Sequence, residues 1–382
     1  MKKIKVMTVF GTRPEAVKMA PLVKELQSRD EIISVCCVTG QHREMLDSML
    51  QVYGITPDYD LDIMEKNQTL STITCKALSG MEDVLKKEQP DILLVHGDTT
   101  TTFSGALAAF YQQIPVGHVE AGLRTWDKYS PFPEEINRTL VGHIAELNFA
   151  PTSSNAANLR AEGVTNGIFV TGNTVIDAMK YTVRDDYVFE SDALNSLDFE
   201  NKKVITVTCH RRENYGKPLQ DIMLALKKIV ETYDDVLIVD PVHLSPIVRE
   251  VVFGTLGDLD RVCLIDPLPV DEMHNLMARS YMIITDSGGL QEEAPALGKP
   301  VLVVRKETER PEAVKAGTVK LAGVDTDVIF DMASELLTNE TAYQQMAKAV
   351  NPYGDGNASK RIVDAILWHF GASDKEPENF NG

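Results

Sequence analysis

Short apolar runs rich in β-branched residues alternate along the chain with longer stretches of helical period. Ile4–Phe10 is the first such run and Gly11 closes it. Beyond Pro14, the residues Ala16, Val17, Met19, Ala20, Leu22, Val23 and Leu26 fall on one stripe of helical spacing. Pro14 suits a helix start. The pattern predicts further strands over Ile32–Thr39, Asp91–Val95, Ile114–Val119, Ala145–Ala150 and Ile168–Val170, with helices over Gln41–Tyr53, Leu70–Glu88 and Thr102–Tyr111. A second series follows, with strands over Lys203–Thr208, Val236–Val239, Val262–Ile265, Met282–Thr285 and Val301–Val304. Its helices are expected over Pro218–Tyr233, Val270–Ala278, Leu290–Leu297, Val328–Leu337, Thr341–Ala349 and Ser359–Phe370.

Fully apolar strands separated by helices mean parallel sheets covered on both faces. The fold class is therefore α/β, with two doubly wound, Rossmann-like domains facing a cleft and a boundary around Gly172–Arg184. The length of 382 residues agrees, being more than one core usually serves. In such sheets ligands bind beyond the C-terminal ends of the strands. The polar motifs GTRPE, HGD, HVE, CHRREN, DPVH and DSGG all follow apolar runs, so all are expected at those ends.

Composition narrows the function. The formal net charge of -18 disfavours nucleic acid and anionic membranes as partners. An anionic ligand then requires local cationic clusters. Five cysteines, at 36, 37, 75, 209 and 263, show neither CxxC nor metal spacing, which points to reduced thiols and a cytoplasmic setting. The apolar run at the start is too short for a signal segment, and no stretch reaches the length of a membrane span.

The densest chemistry lies in HVEAGLRTWDKYSPFPEEINR, residues 118–138. Glu120 ends an apolar strand, Gly122 breaks it, and Pro131 and Pro133 stiffen the loop before a helix that begins near Glu134. Carboxylates so placed suit proton transfer at a substrate C–H or O–H. The competing reading makes Glu120 and Glu134 structural partners of Arg124 and Arg138, since Glu134 and Arg138 share a helix face. At 11–18, Arg13 and Lys18 add charge beside a Gly turn that opens a helix, where free N–H groups meet anions; Glu15 is a capping candidate. Asp98 either orients a partner or caps the helix after it. His210 and Arg211 sit in a basic run that matches phosphate oxygens. His243 is open to a core or a functional role. The turn Ser287-Gly288-Gly289 can cradle a phosphate, and Glu293 can take a ribose diol. Arg310 is a candidate diphosphate or carboxylate contact.

Together these segments resemble the non-hydrolysing UDP-N-acetylglucosamine 2-epimerases of bacteria. The likeness runs through GTRPEA (11–16), HGDTTTT (96–102), HVEAGLRT (118–125), PFPEEINR (131–138), GNTVID (172–177), HRREN (210–214), PVHL (241–244), DSGGLQEEAP (286–295), GKPVL (298–302), ERPE (309–312) and NPYGDG (351–356). The resemblance implies a type B glycosyltransferase-like fold. It divides the chain into an N-terminal domain at 1–172 with the catalytic carboxylates, a UDP-binding domain at 173–358, and a closing helix and tail at 359–382 that cross back. It implies interconversion of UDP-N-acetylglucosamine and UDP-N-acetylmannosamine without metal or other cofactor, through loss of the C2 proton and UDP to a 2-acetamidoglucal. A homodimer serving teichoic acid, capsule or other surface glycans is also implied. Residue by residue, it makes Asp98, Glu120, Glu134 and His210 catalytic. Arg13, Lys18, Arg138, Ser287, Gly288, Gly289, Glu293 and Arg310 become substrate contacts, and Leu268–Met273 a uracil-facing loop. An allosteric site for a second UDP-N-acetylglucosamine aligns with Gln41, Glu44, Asn67, Glu134, Arg211 and His243. Glu44 and Asn67 depart from the regulated pattern, which has Gln and Arg there, and these changes weaken such a site. The rivals are a hydrolysing epimerase that releases UDP, a nucleotide-sugar glycosyltransferase, and a non-catalytic sensor.

Overall fold

The computed structural model describes residues 2–40, 43–65 and 68–381, with the backbone alone at 43–45 and 48. The chain divides into two compact units, Met1–Tyr181 with Tyr353–Gly382, and Thr182–Pro352.

Unit 1 is built on a sheet of β1 (Ile4–Phe10), β2 (Ile32–Val38), β3 (Tyr59–Asp60), β4 (Ile92–His96), β5 (Val116–Val119), β6 (Leu147–Ala150) and β7 (Ile168–Val170). The spatial order is β3-β2-β1-β4-β5-β6-β7. Pairing is parallel, with Ile4 opposite Ile32 and Val6 opposite Ile92. One face packs Met7, Val9, Leu93 and Val95 against Met81, Leu85, Ala106 and Ala109 of the helices Leu70–Glu88 and Thr100–Tyr111. The strand order reverses between β1 and β4. The loops after these strands therefore diverge and leave an opening at the C-terminal edge.

Unit 2 repeats the plan with β8 (Lys203–Thr208), β9 (Val236–Pro241), β10 (Val262–Ile265), β11 (Met282–Thr285), β12 (Val301–Val303) and β13 (Val319–Leu321). Its order is β10-β9-β8-β11-β12-β13, so the reversal falls between β8 and β11. Ile205, Val207, Ile238 and Ile284 pack on Ile222, Leu226 and Ile229 of the helix Lys217–Thr232.

The divisions fall at Tyr181/Thr182 and Pro352/Tyr353 instead of after 172 and 358. Hydrogen bonds explain the shift. Asp177, on the helix Thr174–Thr182, accepts Ala358 N and Ser359 N at the start of the closing helix Ala358–His369. Both segments thus belong to unit 1. The closing helix also pairs Asp364 with Arg29. The tail then runs along β7, where Phe380 N donates to Val170 O.

The apolar periodicity does not register β3, β13 or the helices Ser153–Ala161, Thr174–Thr182, Pro246–Leu256 and Pro311–Ala316. The first two are very short, and Ser153–Ala161 is mostly polar, held by its Thr152 cap. No helix among the described residues is long and apolar enough to cross a membrane. All five cysteines are free, and burial pushes Cys36 up to about 12, out of reach of ordinary thiolate chemistry.

Gly122 occupies a left-handed φ of +88°, and a Cβ there would lie 2.2 Å from Asn155 O. Both the conformation and the space demand glycine. Gly122→Ala is expected to destabilise unit 1 by about 2–4 kcal/mol, combining strain and overpacking. Denaturant unfolding checks this; a loss below about 0.5 kcal/mol, the ordinary surface range, would contradict it.

Candidate active site

In unit 1 the loop after β1 begins the site. Thr12 caps the helix Arg13–Gln27 in a capping box with Glu15. The buried Glu15 carboxylate does more than cap. It accepts Gly11 N at 3.1 Å, Thr12 N at 2.8 Å and, from the loop after β4, Thr99 Oγ1 at 2.7 Å. It thereby stitches together the loops on either side of the reversal.

Thr99, not Asp98, caps the helix Thr100–Tyr111, so Asp98 is released for another role. Its carbonyl is held by Asn137 Nδ2 at 2.9 Å, and its carboxylate lies 3.5 Å from Arg138 Nη1. Burial pushes the Asp98 carboxyl above its ordinary range; Arg138 opposes this, while Glu120 and Glu134 reinforce it.

Glu120 takes a left-handed φ of +62°, an uncommon conformation for a non-glycine residue. Its Oε2 meets the Lys18 ammonium, Asn173 Nδ2 at 3.2 Å and His96 Nε2 at 3.4 Å. Burial alone would raise this carboxyl, but Lys18 and His96 overcome it and hold Glu120 well below the carboxylate range. His118 lies two residues before Glu120 in β5, fully buried, with Nε2 2.7 Å from Gly97 O. Burial lowers it to about 4, against the pull of that carbonyl, so it is a neutral imidazole that ties β5 to the loop after β4.

Glu134 opens the helix Glu134–Ile144, and its buried Oε2 has no hydrogen-bond partner among the described residues. Glu135 next to it is fully engaged, accepting Thr125 N at 3.0 Å and Trp126 N at 2.9 Å and pairing with Arg138 at 2.8 Å. Arg124 pairs with Glu162, at 2.8 and 2.6 Å. The ion pairs that would have made Glu120 and Glu134 partners of Arg124 and Arg138 are therefore not formed: nearer carboxylates take both arginines. Arg13, Lys18, His96, Asp98, Glu120 and Glu134 line one cavity of about 570 Å³.

In unit 2 the buried Asp286, just after β11, clamps the loop after β8. It accepts His210 N at 2.8 Å, Arg211 N at 2.7 Å and Asn214 Nδ2 at 3.0 Å. His210 is left half-exposed and stacked on the His243 ring, with centroids 5.1 Å apart. Burial lowers the His210 pKa; Asp286 opposes, while His243 and Arg211 add to the shift. Asp240, buried in β9, is pushed up to about 8 by burial and by Asp286. Glu293 Oε2 lies 3.4 Å from His274 Nε2, whose Nδ1 is 2.7 Å from Thr182 Oγ1.

The family model described as UDP-N-acetylglucosamine 2-epimerase matches residues 24–367. The chain belongs to this family. A UDP-N-acetylglucosamine 2-epimerase from Bacillus subtilis is 56% identical over 383 residues, covering 100% of both sequences. A crystal structure from Listeria monocytogenes has a TM-score of 0.94 at 50% identity over 100% of both chains. The UDP-GlcNAc 2-epimerase of Neisseria meningitidis, solved bound to UDP-GlcNAc, has a TM-score of 0.83 at 48% identity, covering 96% of this chain and 100% of that one.

For this epimerase-family chain, the expected residues Arg13, Lys18, Asp98, Glu120 and Glu134 come together around one cavity, with Arg138 behind Asp98. In unit 2, His210 after β8 stacks on His243 after β9, with Arg211 next in sequence to His210, while Ser287, Gly288 and Gly289 lead into the helix Leu290–Ala296. Gly289 has an ordinary φ of -62° and Gly288 is not among the positive-φ residues, so the pair keeps the backbone bare and does not relieve a strained turn. Arg310 is taken by the Glu292 carboxylate. Leu268 and Met273 pack, partly buried, against a cluster containing Tyr187, Phe189 and Leu276. Gln41, Asn67 and the side chain of Glu44 lie outside the described residues. The sequence reading gave no role to His96, Asn173, His274 or Asp240. The signal for His96 was its place at the end of an apolar strand, directly before Asp98.

A carboxyl held low in the fold stabilises it above the unfolded value near 4.5, and that contribution is lost as pH falls through the folded value. Lys18→Met removes the strongest opposing charge, so Glu120 should titrate at higher pH. Carboxyl-detected NMR titration reads the direction; an unmoved Glu120 would contradict the ion pair.

Proposed function

We propose that this chain interconverts UDP-N-acetylglucosamine and UDP-N-acetylmannosamine without net hydrolysis, supplying N-acetylmannosamine units for surface polysaccharide. The observation that carries the reading is the meeting of Asp98, Glu120 and Glu134 with Arg13 and Lys18 around one cavity at the strand-order reversal of unit 1. Inverting a carbon requires a proton to leave one face and another to arrive on the opposite face. That calls for at least two proton-handling groups.

In the proposed route, a carboxylate takes the proton from C2 while the C1–O bond to UDP breaks, its electron pair leaving on the diphosphate. The sugar is left as 2-acetamidoglucal. A second group protonates C2 from the other face as the diphosphate re-forms the C1–O bond. Glu120 and Glu134 are assigned the proton-transferring pair, with Asp98 assisting. The environments support a division of labour: Glu120 is held as an anion, and Asp98 is pushed toward keeping a proton. Unit 2 takes the nucleotide end. His210 and Arg211 are assigned to the diphosphate with Ser287, Gly288 and Gly289, and Glu293 to the ribose. The Neisseria relative bound to UDP-GlcNAc supports this substrate class.

Incubation in D₂O should place one deuterium at C2 of the recovered sugar. Glu120→Gln and Glu134→Gln should each lower kcat by about 10²–10⁴-fold with substrate binding nearly kept. NMR of the sugar and steady-state kinetics check both. Stoichiometric release of free UDP would replace this reading with the hydrolysing reaction.

A further inference from the structure

The motifs GNTVID at 172–177 and NPYGDG at 351–356 have no part in the chemistry proposed above. In unit 1 they are joined. Asn173 N donates to Tyr353 O at 2.6 Å. A Cβ on Gly172 would come within 3.2 Å of the Gly354 Cα, so the two glycines permit a close backbone approach. The chain leaves unit 1 after Tyr181 and re-enters at Tyr353, and this junction ties the departing segment to the returning one.

Asn173 is 4% exposed, and Glu120 and Val175 are among the groups that hold its side-chain amide. Oδ1 accepts Val175 N at 3.1 Å, which leaves Nδ2 as the end that reaches Glu120 Oε2 at 3.2 Å. Lys18 and His96 approach the same oxygen from the helix after β1 and from the end of β4. Asp98 and His118 also act on Glu120 electrostatically. Lys18 brings charge on a long stem with many rotamers. Asn173 brings a donor on a short side chain whose backbone is tied down, so it is the better device for setting direction.

We propose that Asn173 is a positioning residue for the reaction: its amide aims the Glu120 carboxylate at C2 of the sugar, and the Gly172–Gly354 junction holds that amide in place. This rests on the epimerase reading above. The competing account makes Asn173 a cap for the helix Thr174–Thr182, through its bond to Val175 N. Serine also caps a helix start, but its side chain is too short to reach Glu120.

The test compares the full-length chain with Asn173→Asp and Asn173→Ser. Measured are thermal midpoint, kcat and KM for UDP-N-acetylglucosamine, the pH dependence of kcat, and deuterium uptake at C2. Asn173→Ser, which keeps a cap and adds no charge, should keep its thermal midpoint and lose roughly 10- to 100-fold in kcat, with KM changed by less than about threefold. The acid limb of kcat should move to higher pH, because a donor that favours the ionised carboxylate is gone. Asn173→Asp adds a second buried carboxylate beside Glu120, so it should lower the thermal midpoint as well as kcat and move the acid limb further up. Unchanged kcat and pH profile in both variants would overturn the inference alone. A kcat that falls in step with the thermal midpoint in Asn173→Ser would also overturn it, by assigning Asn173 to the fold. An unlabelled product from the unsubstituted chain would overturn the epimerase reading and this inference with it.

Discussion

Keeping an ionised carboxylate out of water is unfavourable unless opposite charge and hydrogen-bond donors surround it. Glu120 meets that condition with groups drawn from three places far apart in sequence: the donors Lys18 after β1 and Asn173 after β7, and the His96 ring, which approaches to 3.4 Å from the end of β4. Only a sheet that brings those strand ends to one edge can assemble such a set. The order β3-β2-β1-β4-β5-β6-β7 does so, and the reversal between β1 and β4 opens the space in front of it. The electrostatics of one side chain thus depend on the topology of the whole unit, and the left-handed backbone at Glu120 is tolerated because its surroundings over-determine it.

Unit 2 solves a related problem by another route. One oxygen of the buried Asp286, Oδ2, accepts backbone N–H groups of the loop after β8 and the Asn214 amide. Spending that carboxylate on loop geometry leaves the His210 ring half-exposed and the Arg211 side chain directed elsewhere. Glu15 has the same function in unit 1, drawing backbone and hydroxyl donors from two loops. In both units one acidic residue organises the loops and different residues remain for a ligand.

Much of this was readable from residue order. Strands β1, β7, β8, β10 and β11 fall on the apolar runs that predict them, and the helix Leu70–Glu88 has its expected bounds. Buried parallel strands announce themselves because both faces are apolar. The candidate residues were legible as strand-end polar motifs, and Asp98, Glu120 and Glu134 share a cavity as that rule requires. Pairing was not legible. Glu134 and Arg138 have helix spacing, yet Arg138 pairs with Glu135 and Asp98, because which carboxylate wins depends on rotamers and on the position of β4. His96 and Asn173 escaped notice for a similar reason: their meaning lies in a contact with Glu120 across the sheet, and no local pattern encodes it. The unit boundaries shifted because Asp177 binds a helix start that lies beyond the whole of unit 2 along the chain.

Unit 2 is inserted within unit 1, since the segment Thr182–Pro352 is flanked on both sides by unit 1 residues. Synthesis runs from the N-terminus, and domains fold as units as they emerge. The sheet of unit 1 is translated first but cannot be finished first. Its covering helix Ala358–His369 and the tail segment along β7 appear only after the whole of unit 2 has been made. The ribosome therefore delivers a complete second unit while the first still exposes the apolar surface of the helix Arg13–Gln27 that its last helix will cover. For this chain, the interval between residues 181 and 353 is the time during which a chaperone has most to shield.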